Sequence, residues 1–174
     1  MPNIVPCIKI KPNLMDQKLS ALSLEAIAKL KDAHAYITIL IAGADGNIDK
    51  NELAWAEKIV QIRTYTGDEG MQEFHDQVNA ELPGKIKAFM ASLPSDISTR
   101  SQIISDKLSE LNPILASLDP AAGAYLYKGY ISLASRIAKA SGGILSFFSI
   151  GPEEKKWMSL PMLTPVEYDP EEEE

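Results

Sequence analysis

The feature that most constrains this chain is internal. Residues 26–46 and 122–142 align without a gap at an offset of 96, and Ala26, Ala28, Leu30, Ile41, Ala42, Ala44 and Gly46 match Ala122, Ala124, Leu126, Ile137, Ala138, Ala140 and Gly142, seven identities in 21 positions. After six extra residues in the second copy the offset becomes 102, and Ile48, Glu52 and Trp55 match Ile150, Glu154 and Trp157. The shared phrase is Ile-Ala-x-Ala-[Asp/Ser]-Gly, a short or long loop, then Ile-x-x-x-Glu-x-x-Trp. Each copy reads as a long helix, a glycine-terminated turn and a second helix. Two such units, near 24–65 and 120–160, are expected to face each other and bury their apolar sides in one bundle.

Helical periodicity runs through the rest of the body. It predicts helices over 24–44, 50–65, 68–82, 85–93, 99–118 and 121–141, then a short one over 152–160, with no strand-like alternation among them. Pro83 and Pro94 read as boundaries, and Pro113 as a kink or a separator of two shorter helices. The expected class is all-α, a duplicated bundle of about six to eight helices over 24–163. Residues 1–23 form an arm and lead-in, where Ile4, Ile8 and Ile10 alternate among prolines and predict an extended segment. Residues 164–174 read as an acidic tail that follows a proline-rich strap.

Charge and cysteine usage exclude several classes. The net charge of −7 is concentrated in Glu167, Asp169 and the four glutamates at 171–174, so the body is nearly neutral and no basic stripe is present to track phosphates; nucleic acid is not an expected partner. The single cysteine, Cys7, forms no internal disulfide, and the start of the chain has no secretory pattern, so a cytoplasmic location is expected. The least polar stretch, 33–44, is shorter than the roughly 20 residues a membrane span needs and reads as a buried helix, not an insertion.

The phrase Ala44-Asp45-Gly46-Asn47-Ile48-Asp49-Lys50-Asn51-Glu52, after an apolar helix, resembles the first acidic motif of the TerB-like domains, a family named for a tellurite-resistance protein. Lys139-Ala140-Ser141-Gly142-Gly143 through Gly151-Pro152-Glu153-Glu154-Lys155-Lys156 resembles the corresponding second motif, and the likeness spans roughly 24–163. The resemblance implies an all-helical fold with internal duplication, acidic residues clustered at one end, a divalent-cation site and no established reaction. Ser141 stands where that family often has aspartate, so a fully symmetric acidic site is not expected.

Chemistry at the loop has two readings. Asp45 sits at the C-terminal end of the first long helix, where the macrodipole is negative; an aspartate there is unfavourable unless a cation offsets it. Alternatively Asp45 and Gly46 form an ordinary turn, with the glycine as left-handed cap. Asp49 and Glu52 have the spacing of an N-cap and its N3 partner, and Glu154 follows Pro152 at the start of the last helix, so capping competes with ligation for these carboxylates. One oxygen can serve an amide while the other faces an ion. A regular EF-hand is excluded, because placing Gly46 at its glycine position puts Ile41 and Gly43 where oxygen side chains are required. An ion held by Asp45, Asp49 and Glu52, completed by Glu153 and Glu154 through the repeat symmetry, would be calcium, magnesium or manganese rather than zinc.

No nucleophile elbow, Walker loop or dinucleotide glycine pattern is present, and no organic cofactor is expected. His34 and His75 form no site unless the fold unites them, and His34 reads as a packed side chain; Trp55 and Trp157 read as equivalent core anchors. The loop 142–150 carries five apolar residues and reads as a plug over the bundle end or as a contact surface, for a protein or for peripheral attachment at a membrane edge. The expected function is therefore a non-enzymatic module acting through a protein partner, with a metal-independent scaffold or adaptor as the alternative.

Overall fold

The computed structural model describes residues 19–44, 71–141 and 152–169. Among these every regular element is a helix.

Helix α1, Leu24–Ala42, starts where Ser23 Oγ accepts from the Ala26 amide at 3.1 Å and ends with the Gly43 amide on Ile39 O and Ile41 O. From Ala33 to Ala42 only Tyr36 escapes full burial, so the helix is apolar on nearly every side and occupies the centre. Its buried hydroxyl is satisfied internally, Thr38 Oγ1 donating to His34 O at 2.7 Å.

Helix α2, Gln72–Ser92, corrects the expected boundary at Pro83: the proline lies inside a continuous helix. Pro83 and Gly84 point to solvent while Leu82 and Ile86 are buried. The proline removes the amide that would bond the Asn79 carbonyl, and burial of the opposite face carries the helix through that loss. No atom lies within 4 Å of a Cβ built at Gly84. Gly84→Ala should therefore stabilise the fold by about 0.5–1 kcal/mol, the ordinary cost of glycine within a helix, measurable by denaturant unfolding.

The span expected over 99–118 is two helices, α3 (Ile97–Ser109) and α4 (Leu111–Ser117), broken at Glu110. Pro113 explains the position. Its ring would crowd the carbonyl four residues back, that of Ser109, where α3 stops; as third residue of α4 it gives up only an amide that no helix turn would use. Asp96 caps α3, accepting from the Thr99 hydroxyl and, at 2.8 Å, from the Thr99 amide; these two bonds hold its carboxyl below the usual range. Helix α5, Pro120–Ser141, opens with proline at its first position and the Asp119 carboxylate accepting from the amides of Ala121 and Ala122. Helix α6 runs Pro152–Met158.

Among the described residues, all five other helices pack on α1. The shared core includes Leu30, Ile37, Phe74, Ile104, Leu111, Tyr130 and Ile137, each almost wholly removed from solvent. Around it, charges tie α1 to its neighbours. Lys31 and Lys85 both bind Glu81, at 2.6 and 2.9 Å, Lys85 also binds Asp32, and Lys29 binds Glu110 at 2.9 Å. The Glu81 carboxyl is held below its ordinary value, first by Lys31 and then by Lys85, so its contribution to stability is lost as pH falls through that lowered value.

After α6 the chain turns at Leu160, whose φ of 45° is the one positive value for a non-glycine residue among the described residues. Its side chain is fully buried, and the apolar area removed from water offsets a left-handed backbone that costs roughly 1–2 kcal/mol. The strap beyond is clamped by one side chain: Asn112 donates through Nδ2 to Met162 O at 3.0 Å and accepts from the Thr164 amide at 2.9 Å. Where strap, α4 and α5 meet, a Cβ on Gly123 would lie 2.8 Å from Leu115 O and 3.4 Å from Val166 Cγ1. Backbone cannot step aside cheaply, so Gly123→Ala should destabilise by about 1–2 kcal/mol.

Candidate functional site

Asp45, Asp49 and Glu52 lie outside the described residues, as do Trp55, the loop 142–150 and the tail 170–174. Glu153 and Glu154 are the second and third residues of α6, with Pro152 at its first position as the sequence predicted. Helix α6 packs against both α1 and α5, so the element carrying the two glutamates touches the helix that leads into Asp45. Among the described residues no group of three or more His, Cys, Asp or Glu side chains is arranged to hold a metal ion. Trp157, expected as a core anchor, is only half buried; its ring packs on the core edge and carries the Lys156 ammonium 4.7 Å from its centroid.

The C-terminal end of α1 holds a residue that sequence reasoning missed. No basic side chain occurs in its own last turn, yet Arg100, reaching from the first turns of α3, donates through Nη2 to Gly43 O at 3.0 Å. Arg100 is only 7 % exposed, and among the described residues no carboxylate comes within ion-pair distance of it. The guanidinium thus occupies the place where the helix macrodipole calls for positive charge. A positive charge at this helix end is thus supplied, at least at Gly43, by the chain itself. Nothing local in the sequence signals this contact, because it joins residues 57 positions apart.

The fold also unites the two histidines. His34 on α1 and His75 on α2 stand with ring centroids 6.4 Å apart, edge to face, with Phe74 beside both and Tyr130 of α5 5.2 Å from His34. His34 Nδ1 lies 3.3 Å from Lys31 O; a carbonyl only accepts, so that contact requires the proton on Nδ1. Tyr130 Oη donates to Leu30 O at 2.8 Å, and burial pushes its phenol pKa up, keeping it a neutral donor. His75 Nε2 lies 3.2 Å from Tyr125 Oη. Tyr125 borders a cleft of about 260 Å³ shared with Met71, Lys128 and Tyr168. The His75–Tyr125 contact thus lies between the buried ring cluster and this surface cleft.

A second cleft, of about 290 Å³, opens at the start of α1 between Leu19, Leu24, Ile27 and Phe74, with Glu73 and Lys31 at its rim. No helix among the described residues is long and apolar enough to cross a membrane. No family profile, curated protein or solved structure matches the chain.

Proposed function

We propose that this chain is a non-enzymatic, TerB-like module, an internally duplicated bundle of six to eight helices that binds a divalent cation at its acidic loop and acts through a protein partner in a stress-response or envelope-associated assembly of the cytoplasm. Asp45, Asp49 and Glu52 would supply oxygen ligands, and Glu153 and Glu154 would complete them from the second copy.

The observation that supports this reading is a meeting of equivalent positions. Under the offset of 96, His34 corresponds to Tyr130, and these two rings touch across the α1–α5 contact. A two-fold relation between repeats requires equivalent residues to meet at its axis. The pairs Leu30 and Leu126, Ile37 and Leu133, Ile41 and Ile137, and Ala42 and Ala138 are buried at both members, as one apolar face used twice would be. A bound ion would tie the ends of the helices leading into and out of the loop and so alter the surface offered to a partner.

Titration of chelator-treated protein with calcium, magnesium, manganese and zinc tests the site. Asp45→Asn is expected to weaken binding at least tenfold, about 1.4 kcal/mol, with helix content unchanged. Equal affinity in the variant removes Asp45 as a ligand; binding lost only when 170–174 is deleted identifies diffuse attraction by the glutamate run.

Arg100 favours a second reading. A helix end that already has its cation needs no metal, and the carboxylates then serve as caps of a metal-independent scaffold whose acidic tail engages the partner. Under that reading the thermal midpoint is insensitive to every cation tested, and tail deletion abolishes capture of the partner.

A further inference from the structure

We propose that the cleft at the start of α1 is the seat of the chain's own N-terminal arm, occupied by Ile8 and Ile10. Three observations converge. The first is unused apolar surface: Leu24 is 86 % exposed at the cleft, although Leu19 and Phe74, which form its walls, are 3 % and 1 % exposed. At about 290 Å³ the cleft is small for an organic ligand but has room for a pair of aliphatic side chains.

The second is pattern. In the run Cys7-Ile8-Lys9-Ile10-Lys11, an extended backbone places Ile8 and Ile10 on one face and Cys7, Lys9 and Lys11 on the other. Lys9 and Lys11 are the only charged side chains in residues 1–15. The cleft rim is complementary: Lys31 is paired with Glu81 at 2.6 Å, which leaves Glu73, whose one hydrogen bond among the described residues is to the neutral Gln77, as its acidic group.

The third is connectivity. Leu19 is itself a cleft wall, and Pro12-Asn13, a turn-favouring pair, stands six residues before it. Six residues span up to about 20 Å, enough for the chain to double back and lay Ile8 and Ile10 beside Leu24 and Ile27. A segment so tethered competes at an effective concentration in the millimolar range, which favours it over a second copy or a separate partner.

Cys7 is the chain's single cysteine and falls on the outward face with Lys9, so a nitroxide can be attached there in the full-length protein. The amide signals of Leu24, Ile27 and Glu73 are expected to lose most of their intensity through paramagnetic broadening, while those of Gln102 and Asp106 on α3 keep theirs. Ile8→Asp with Ile10→Asp should restore the lost signals. A mixture of spin-labelled, isotopically unlabelled protein with isotope-labelled, unmodified protein should show no broadening. Broadening in that mixture would assign the cleft to a second copy and overturn the proposal; undiminished cleft signals in the singly labelled sample would overturn it as well.

Discussion

Tyr130→Ala is expected to lower the stability of the fold by about 4 kcal/mol, whereas Tyr130→Phe costs about 1 kcal/mol or less. Tyr130 is 1 % exposed and bridges α5 to α1, its ring against His34 and its hydroxyl on Leu30 O. Truncation to alanine removes a whole buried aromatic ring at the α1–α5 junction, and large-to-small changes of this kind carry both the transfer and the cavity penalty. Removing the hydroxyl alone is gentler. Leu30 O lies within α1 and has the His34 amide as its helical partner, so the phenol uses the carbonyl's second lone pair and its loss orphans no group. In a chain of this length 4 kcal/mol corresponds to roughly 10 °C in the thermal midpoint. The two variants separate packing from hydrogen bonding. Equal losses in both would mean that the phenol hydroxyl, and not the ring volume, holds the junction.

The all-helical class was legible because apolar residues recur at helical spacing from Leu24 onward; the caps at Ser23, Asp96 and Asp119 were present in the sequence but were not used. Burial of α1 was legible too: a helix apolar on every side from Ala33 onward has no solvent face to offer. Pro83 misled because a proline's cost is local while the gain that overrides it, burial of Leu82 and Ile86 against α1, is tertiary. Pro113 was placed correctly as a disruptive residue, but its effect falls at Ser109 and Glu110, where the clash is, and not at the proline itself.

The chemistry was less legible. Short acidic phrases announce themselves in sequence, which is why Asp45, Asp49 and Glu52 stand out as candidates, although they lie outside the described residues. A contact such as Arg100 to Gly43, or the convergence of His34, His75 and Tyr130, depends on which helices become neighbours.

Arg100 carries the other large expected effect. Arg100→Ala should destabilise the fold by about 3 kcal/mol and Arg100→Met by about half of that. Three contributions favour the arginine: a charge-assisted bond to the buried Gly43 carbonyl, about 1.5–3 kcal/mol; a positive charge at a helix C-terminus, up to about 2 kcal/mol; and packing of its aliphatic stem. Against them stands the cost of desolvating a guanidinium that no described carboxylate neutralises. Methionine keeps most of the stem's volume and discards the charge, so the gap between the two variants measures packing and the residual loss in methionine measures electrostatics. A methionine variant as stable as the parent would mean that desolvation cancels the bond, and that the helix end does not depend on this cation. The same variant bears on the loop. Two peptide units separate Gly43 from Asp45, which keeps their Cα atoms within about 7 Å, so Arg100 opposes any divalent ion held there. At such range, near a solvated surface and screened by salt, removing one positive charge is worth roughly two- to fivefold in affinity. Arg100→Met should therefore bind the ion more tightly while unfolding more easily, a pair of opposite shifts that generalised loosening of the fold would not produce.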